Sequence, residues 1–303
     1  MEENMHDFSG KLAVITGGGS GIGRALAGQL AAAGCSVAMC DLSQRDMDES
    51  CARAAHGAPQ GVRVTGFLAD VASETDMTAF RDDTLARHGT DHIHLLVNNA
   101  GIGGGGSFVT APREMWERTF GVCWYGVYFS SRTYLPALMR AEEGHLVNVS
   151  SVNGFWASLG PDTAHTAYSA AKFAVKGFTE ALVNDFRLNA PHLRASVVMP
   201  GHIGTNIALN TLREFEDAAH DDPSGSGDTE RAQATAFGEA FRDNGLDPED
   251  AARIILAGVR QKRWRILVGE DAHKLDEAVR ASPEEAYEQG FMSPGIMSVT
   301  NPT

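Results

Sequence analysis

The sequence predicts a doubly wound α/β fold: a seven-stranded, mainly parallel sheet with helices on both faces, in one domain spanning residues 1–303. Two observations carry this. Short apolar, β-branched runs alternate with longer helix-forming runs through most of the chain, which is the pattern of a parallel sheet covered on both sides. The first apolar run also leads through a glycine cluster into an Ala/Leu-rich run, the strand-turn-helix context of a dinucleotide site.

In chain order, Lys11-Leu-Ala-Val-Ile-Thr16 reads as a buried strand and residues 21–33 as a helix. Between them lie Gly17, Gly18, Gly19, Ser20, Gly21, Ile22 and Gly23. Glycines there permit a tight turn and let a pyrophosphate approach the backbone at the positive end of the helix. A second strand, 36–41, ends in Asp41, followed by Leu42. A carboxylate at that point can accept from a ribose 2′-hydroxyl and repels a 2′-phosphate. Ser20 in the loop is uncharged, so both residues favour NAD over NADP, with Arg45 the opposing charge nearby. Further strands are expected near 62–68, 93–97, 144–150, 193–199 and 264–268. Helices are expected near 43–56, 73–88, 112–141, 166–190 and 248–262. Helical runs at 205–219 and 229–243 flank the acidic, glycine-rich stretch 221–228, and 205–245 reads as a mobile flap over a substrate site. Residues 269–303 form a C-terminal extension, able to pack on its own domain or on a neighbouring subunit.

The chemistry concentrates at Tyr168-Ser-Ala-Ala-Lys172, preceded by Ser150-Ser151. Residues four apart share one helix face. An ammonium beside a phenol stabilises the phenolate and lowers its pKa from about 10, making it a proton donor and acceptor near neutral pH. Adjacent strand residues point to opposite faces, so only one of Ser150 and Ser151 faces the site in a regular strand.

With these residues in place, the chain resembles the short-chain dehydrogenase/reductase family, in its single-domain dehydrogenase and ketoreductase branch. The resemblance rests on TGGGSGIG at 16–23, Asp41, Asp70-Val71, NNAG at 98–101, Asn148-Val-Ser-Ser151, YSAAK at 168–172 and Pro200-Gly201 followed by Thr205, spanning roughly residues 8 to 205. It implies a Rossmann fold, NAD as cofactor, and hydride transfer between a secondary alcohol carbon and the nicotinamide. It assigns Ser151, Tyr168 and Lys172 to catalysis, and Lys172 also to the cofactor ribose. Gly17, Ser20, Gly21, Ile22 and Gly23 would take the pyrophosphate, and Asp41 and Leu42 the adenosine ribose. Asp70 and Val71 would border the adenine, and Asn99, Ala100 and Gly101 the nicotinamide ribose. Pro200, Gly201, Ile203 and Thr205 would hold the carboxamide and phosphate. One departure stands out: aligned on Gly126, Cys123 occupies the family's asparagine position, where the amide holds a water joining the lysine to solvent.

Phe155, Trp156, Leu159 and His165 between the serine and tyrosine, with His202 after Pro200-Gly201, suggest a bulky apolar or aromatic substrate. Among them Phe155, Trp156 and His202 are the candidate substrate contacts beside Ser151, and no metal site is expected, because neither His165 nor His202 has a carboxylate or second histidine at ligand spacing. A formal charge of −14 argues against nucleic-acid and anionic-membrane partners, leaving a small-molecule substrate. Four cysteines without C-x-x-C spacing, and a polar start, fit a reducing cytoplasm. The family implies a homodimer or homotetramer. An NADP-preferring ketoreductase and a non-catalytic NAD-binding regulator are the competing readings.

Overall fold

The structure, a computed structural model, describes residues 7–160, 163–218, 227–288 and 290–291. Its centre is a sheet of seven strands: β1 (Leu12–Thr16), β2 (Ser36–Asp41), β3 (Val64–Leu68), β4 (Leu95–Asn98), β5 (Gly144–Val149), β6 (Leu193–Pro200) and β7 (Arg265–Val268). All are parallel, in the order β3-β2-β1-β4-β5-β6-β7. The order reverses between β1 and β4, so a crevice opens where their carboxyl ends diverge.

The period of two decides which side chain meets which layer. Ala13 and Ile15 join Leu26, Leu30, Ile255 and Val259 on one face. Leu12 and Val14 join Phe80, Tyr134, Leu138 and Phe186 on the other. The first layer comes from α1 (Gly21–Ala32), α2 (Gln44–His56) and α9 (Pro248–Arg260). The second comes from α3 (Glu74–His88), α5 (Gly126–Leu138) and α6 (Thr166–Asn189). Burial of each Leu, Ile or Phe contributes roughly 1.5–3 kcal/mol, so both faces are needed to hold the sheet. Ser43 and Ser73 cap α2 and α3 by accepting from Asp46 N and Asp76 N at 3.2 Å.

One stretch differs from the sequence reading, and two others are made definite. The run 112–141 is not one helix: α4 (Arg113–Phe120) and α5 are joined by a π-helical turn, Gly121–Tyr125, with glycine at each junction. The region 205–245 folds as α7 (Ile207–Ala218) and α8 (Gly227–Asn244), and the acidic stretch at 221–226 lies outside the described residues. The tail contains a helix, α10 (Glu270–Ala281), and packs on its own chain, with Leu275 and Ala286 against Trp156.

The lower end of the sheet makes stability depend on pH. His145, 1% exposed, donates from Nε2 to Ser196 Oγ at 2.7 Å, and Ser196 donates onward to the Arg263 carbonyl. Nδ1 has no hydrogen-bond partner among the described residues, and burial pushes the imidazole pKa down to about 3. A histidine held below its unfolded value of 6.5 costs stability as pH falls through the window from 6.5 to about 3, because the unfolded chain binds the proton first. We expect the thermal midpoint to drop between about pH 7 and about pH 5, and His145→Gln to show a shallower drop by differential scanning fluorimetry. An unchanged slope would remove His145 from the account.

Candidate active site

A cavity of about 590 Å³ occupies the crevice at the carboxyl ends of the strands. At its entrance end is the glycine turn. Gly17 and Gly21 have φ of +66° and +51°, in the left-handed region where a side chain is strained. A Cβ at Gly23 would lie 2.1 Å from the Gly17 carbonyl oxygen, so α1 can start this close to β1 only without one. Asn99 fixes the turn from across the crevice, its Nδ2 donating to the Thr16 and Gly17 carbonyls at 3.1 and 3.0 Å. Arg24 adds a bond from Nε to the Gly19 carbonyl at 3.0 Å. The result is a backbone cradle at the positive end of α1, with no acidic residue in the helix's first turn to oppose an anion.

Asp41 sits beside the cradle. Oδ2 accepts from Gly19 N at 2.9 Å, and Oδ1 accepts from Leu42 N at 2.8 Å. The carboxylate therefore both tightens the turn and faces the cavity. Asp70 and Val71 line the same end, as do Ser20, Ile22 and Leu42. Asn99, Ala100 and Gly101 line the cavity farther in, together with Pro200, Gly201, Ile203 and Thr205. Gly23 does not line it and acts through packing. This cradle, which any Cβ would fill, fits a dinucleotide.

The inner end holds Ser151, Tyr168 and Lys172 together, all buried. The Ser151 hydroxyl lies within hydrogen-bonding reach of the Tyr168 phenol and accepts from Asn153 N at 3.1 Å. Ser150 points elsewhere, donating to the Lys172 carbonyl at 2.8 Å. Lys172 Nζ donates to the Val149 carbonyl at 2.9 Å and lies 5.3 Å from the Tyr168 ring centroid. One electrostatic expectation is corrected. The phenol is not made more acidic: burial raises the Tyr168 pKa, against a smaller lowering by the Ser151 hydrogen bond. Burial also lowers that of Lys172. For both groups desolvation is the largest cause.

Cys123 is fully buried in the π turn, donating from Sγ to the Ile102 carbonyl at 3.3 Å. Its sulfur and Lys172 Nζ approach the same point beside Gly101, within 3.7 and 3.5 Å of where a Cβ would stand. An asparagine there could keep the bond to Ile102 and offer a carbonyl oxygen towards the lysine. We expect Cys123→Asn to match or exceed the parent turnover in steady-state assays. A collapse would show that the thiol has its own role.

Of the three candidate substrate contacts, Trp156 and His202 line the cavity and Phe155 needs correction. Phe155 does not line the cavity. It packs in the cluster built from the tail and lies 6.0 Å from the Arg265 guanidinium. Trp156 does line the cavity, but it is 1% exposed and donates from Nε1 to the Ala286 carbonyl at 2.7 Å, so the tail holds its ring in the wall. The His202 ring bonds through Nε2 to the Phe241 carbonyl at 2.7 Å, which ties β6 to α8.

Sequence reasoning missed Arg118, Asn153 and Asn210. Arg118 joins three elements, with Nη1 on Asp70 Oδ2 and Nε on Glu214 Oε1, both at 2.6 Å. Asn210 donates to Ser20 Oγ at 3.4 Å, and Thr211 accepts from Gly103 N at 2.7 Å. Helix α7 thus lies across the cavity, bonded to the glycine loop, to the loop after β4 and to α4. No local spacing signals contacts made between segments this far apart.

Residues 11–215 match the family model described as short chain dehydrogenase. The chain is 36% identical over 280 residues to the oxidoreductase SadH of Mycobacterium tuberculosis, covering 91% of this chain and 92% of that one. A short chain dehydrogenase/reductase from Burkholderia phymatum, solved in complex with NAD, is similar at a TM-score of 0.79 and 29% identity, covering 95% of this chain and 98% of that one. A metagenomic short-chain oxidoreductase, solved in complex with NADP, has a TM-score of 0.63 at 24% identity, covering 86% and 97%, and shares the fold.

Proposed function

The chain belongs to the short-chain dehydrogenase family of oxidoreductases, and we propose that it interconverts a bulky, apolar or aromatic secondary alcohol with its ketone, using NAD. The observation that carries this reading is the placement of Tyr168, beside Ser151 and Lys172, at the inner end of a glycine-cradled cavity.

A bound nicotinamide would supply the hydride chemistry, and the residues of this chain would hold and orient it. Gly17, Ser20, Gly21 and Ile22 would hold the pyrophosphate, Asp41 and Leu42 the adenosine ribose, and Asp70 and Val71 the adenine edge. Asn99, Ala100 and Gly101 would border the nicotinamide ribose, with Pro200, Gly201, Ile203 and Thr205 at the carboxamide. Tyr168 takes the alcohol proton at its phenolic oxygen in oxidation and returns it in reduction. Ser151 donates to the same substrate oxygen and fixes its position. Lys172 keeps one ammonium hydrogen on Val149 and has others free for the ribose hydroxyls. Its charge, close to the ring, favours the phenolate once positive charge joins it in the cavity. The preference for NAD is supported by the Asp41 carboxylate facing the cavity.

We further infer a homodimer or homotetramer, supported by the half-exposed Tyr125, Tyr128 and Phe173 on the α5 and α6 side. No described helix is long and apolar enough to cross a membrane. The described cysteines are all unpaired thiols, which supports a cytoplasmic setting.

The reading is tested by a screen of aliphatic and aryl secondary alcohols of increasing bulk, each with NAD and with NADP, following reduced nicotinamide. Turnover should appear with NAD and grow with apolar bulk. Cofactor binding without turnover on any alcohol would instead favour a binding protein on this fold.

A further inference from the structure

The cavity continues past Tyr168 into a chamber walled by Leu159, Ile207, Ala208, Phe237 and Phe241. Apart from Lys172 beside Tyr168, which the Val149 carbonyl holds, the charged side chains of the cavity belong to the glycine-loop end. Arg118 pairs with Asp70 and Glu214 there, and Arg213 reaches Asn210 beside Ser20. Among the described residues, those walling the chamber beyond Lys172 are therefore apolar or neutral polar.

Most of those polar groups are already engaged. Both Asn153 amide hydrogens go to carbonyls, of Trp156 at 3.1 Å and Ser158 at 2.8 Å. Ser158 donates to the Gly160 carbonyl at 3.3 Å, and His202 is bonded to Phe241. His165 differs. It immediately precedes α6 and lines the cavity, its ring centroid 4.7 Å from that of Tyr168. It makes no side-chain hydrogen bond to any described residue. Burial pushes its pKa down to about 4, so at neutral pH the ring carries one donor and one acceptor and no charge.

We propose that His165 is a specificity-determining residue whose imidazole hydrogen-bonds a second oxygen of the substrate, selecting uncharged ketones and secondary alcohols that carry a further hydroxyl or carbonyl. The proposal rests on the reading that Tyr168 handles the reacting oxygen. The imidazole can donate to a carbonyl or accept from a hydroxyl. A ligand lacking that oxygen would leave the ring nitrogens unpaired in an apolar chamber, which is how a site rejects the plainer analogue.

The test compares kcat/KM with NADH for two matched ketone pairs, acetophenone with phenacyl alcohol and propiophenone with β-hydroxypropiophenone. Members of a pair differ by one hydroxyl, at two distances from the carbonyl. In the parent enzyme at least one hydroxylated ketone should be favoured about tenfold, the effect of one well-made hydrogen bond. His165→Phe keeps a ring against Tyr168 and should bring that ratio near one. His165→Gln retains a donor and an acceptor and should preserve most of it. Each variant is read as a ratio, so a shared loss of folded enzyme cancels. A ratio unchanged in His165→Phe, or absent in the parent enzyme for both pairs, overturns the proposal alone. A parent enzyme that binds NADH but reduces none of the four ketones overturns the dehydrogenase reading, and this proposal with it.

Discussion

Tyr168→Phe should lower kcat by about a thousandfold or more, because general acid-base transfer by a placed side chain contributes roughly 10²–10⁴. The substitution removes one oxygen and keeps the ring against Lys172 and His165. NADH affinity should stay within a few-fold, since the phenol lies at the inner end of the cavity and the glycine cradle at the other. The pH dependence adds a second readout. In the parent enzyme alcohol oxidation should rise with pH, because it needs the phenolate and burial raises the Tyr168 pKa. Ketone reduction should fall as pH rises, because it needs the protonated phenol. Residual activity in Tyr168→Phe should lose this limb. Retained turnover with an unchanged profile would place the proton transfer elsewhere.

Asp41→Asn should shift cofactor choice by about two orders of magnitude in the ratio of kcat/KM for NAD over NADP. The amide keeps one oxygen able to accept from Gly19 or Leu42, so one of the two bonds to the turn is retained while its charge is removed. Unit charges about 4 Å apart interact by about 1–4 kcal/mol between water and a protein surface, and a 2′-phosphate carries more than one unit. Most of the shift should come from improved KM for NADP, with a smaller loss for NAD. A parent enzyme already indifferent to the 2′-phosphate, or a variant with the parent ratio, would show that the carboxylate serves the turn alone.

The parts of this site that were legible in the sequence depend on local geometry. Gly23 is required by a backbone approach within its own turn, and Tyr168 and Lys172 share a helix face by spacing alone. All seven strands fall within two residues of where apolar runs place them, because a parallel strand buried on both faces is continuously apolar. What was not legible depends on partners distant in the chain. Phe155 looks like a pocket residue until the tail around Ala286 and Phe291 is folded against it, whereas Trp156 lines the cavity and is fixed there by the same tail. The π turn at Gly121–Tyr125 leaves a helical sequence pattern unchanged while rotating Cys123 relative to a regular helix. Arg118 joins α4, the loop after β3 and α7, which no single window contains. The tyrosine pKa was misjudged because spacing reports the neighbouring charge and says nothing of how far both groups are desolvated.

The central claim is hydride transfer from a secondary alcohol at the Tyr168 site. It is tested most directly by incubating the protein with NAD and bulky secondary alcohols deuterated at the carbinol carbon, then analysing the nicotinamide by mass spectrometry. The account predicts deuterium in the reduced cofactor with the parent enzyme, and almost none with Tyr168→Phe at equal NAD occupancy. Bound NAD that acquires no deuterium from any alcohol, or equal deuterium transfer in the variant, would contradict it.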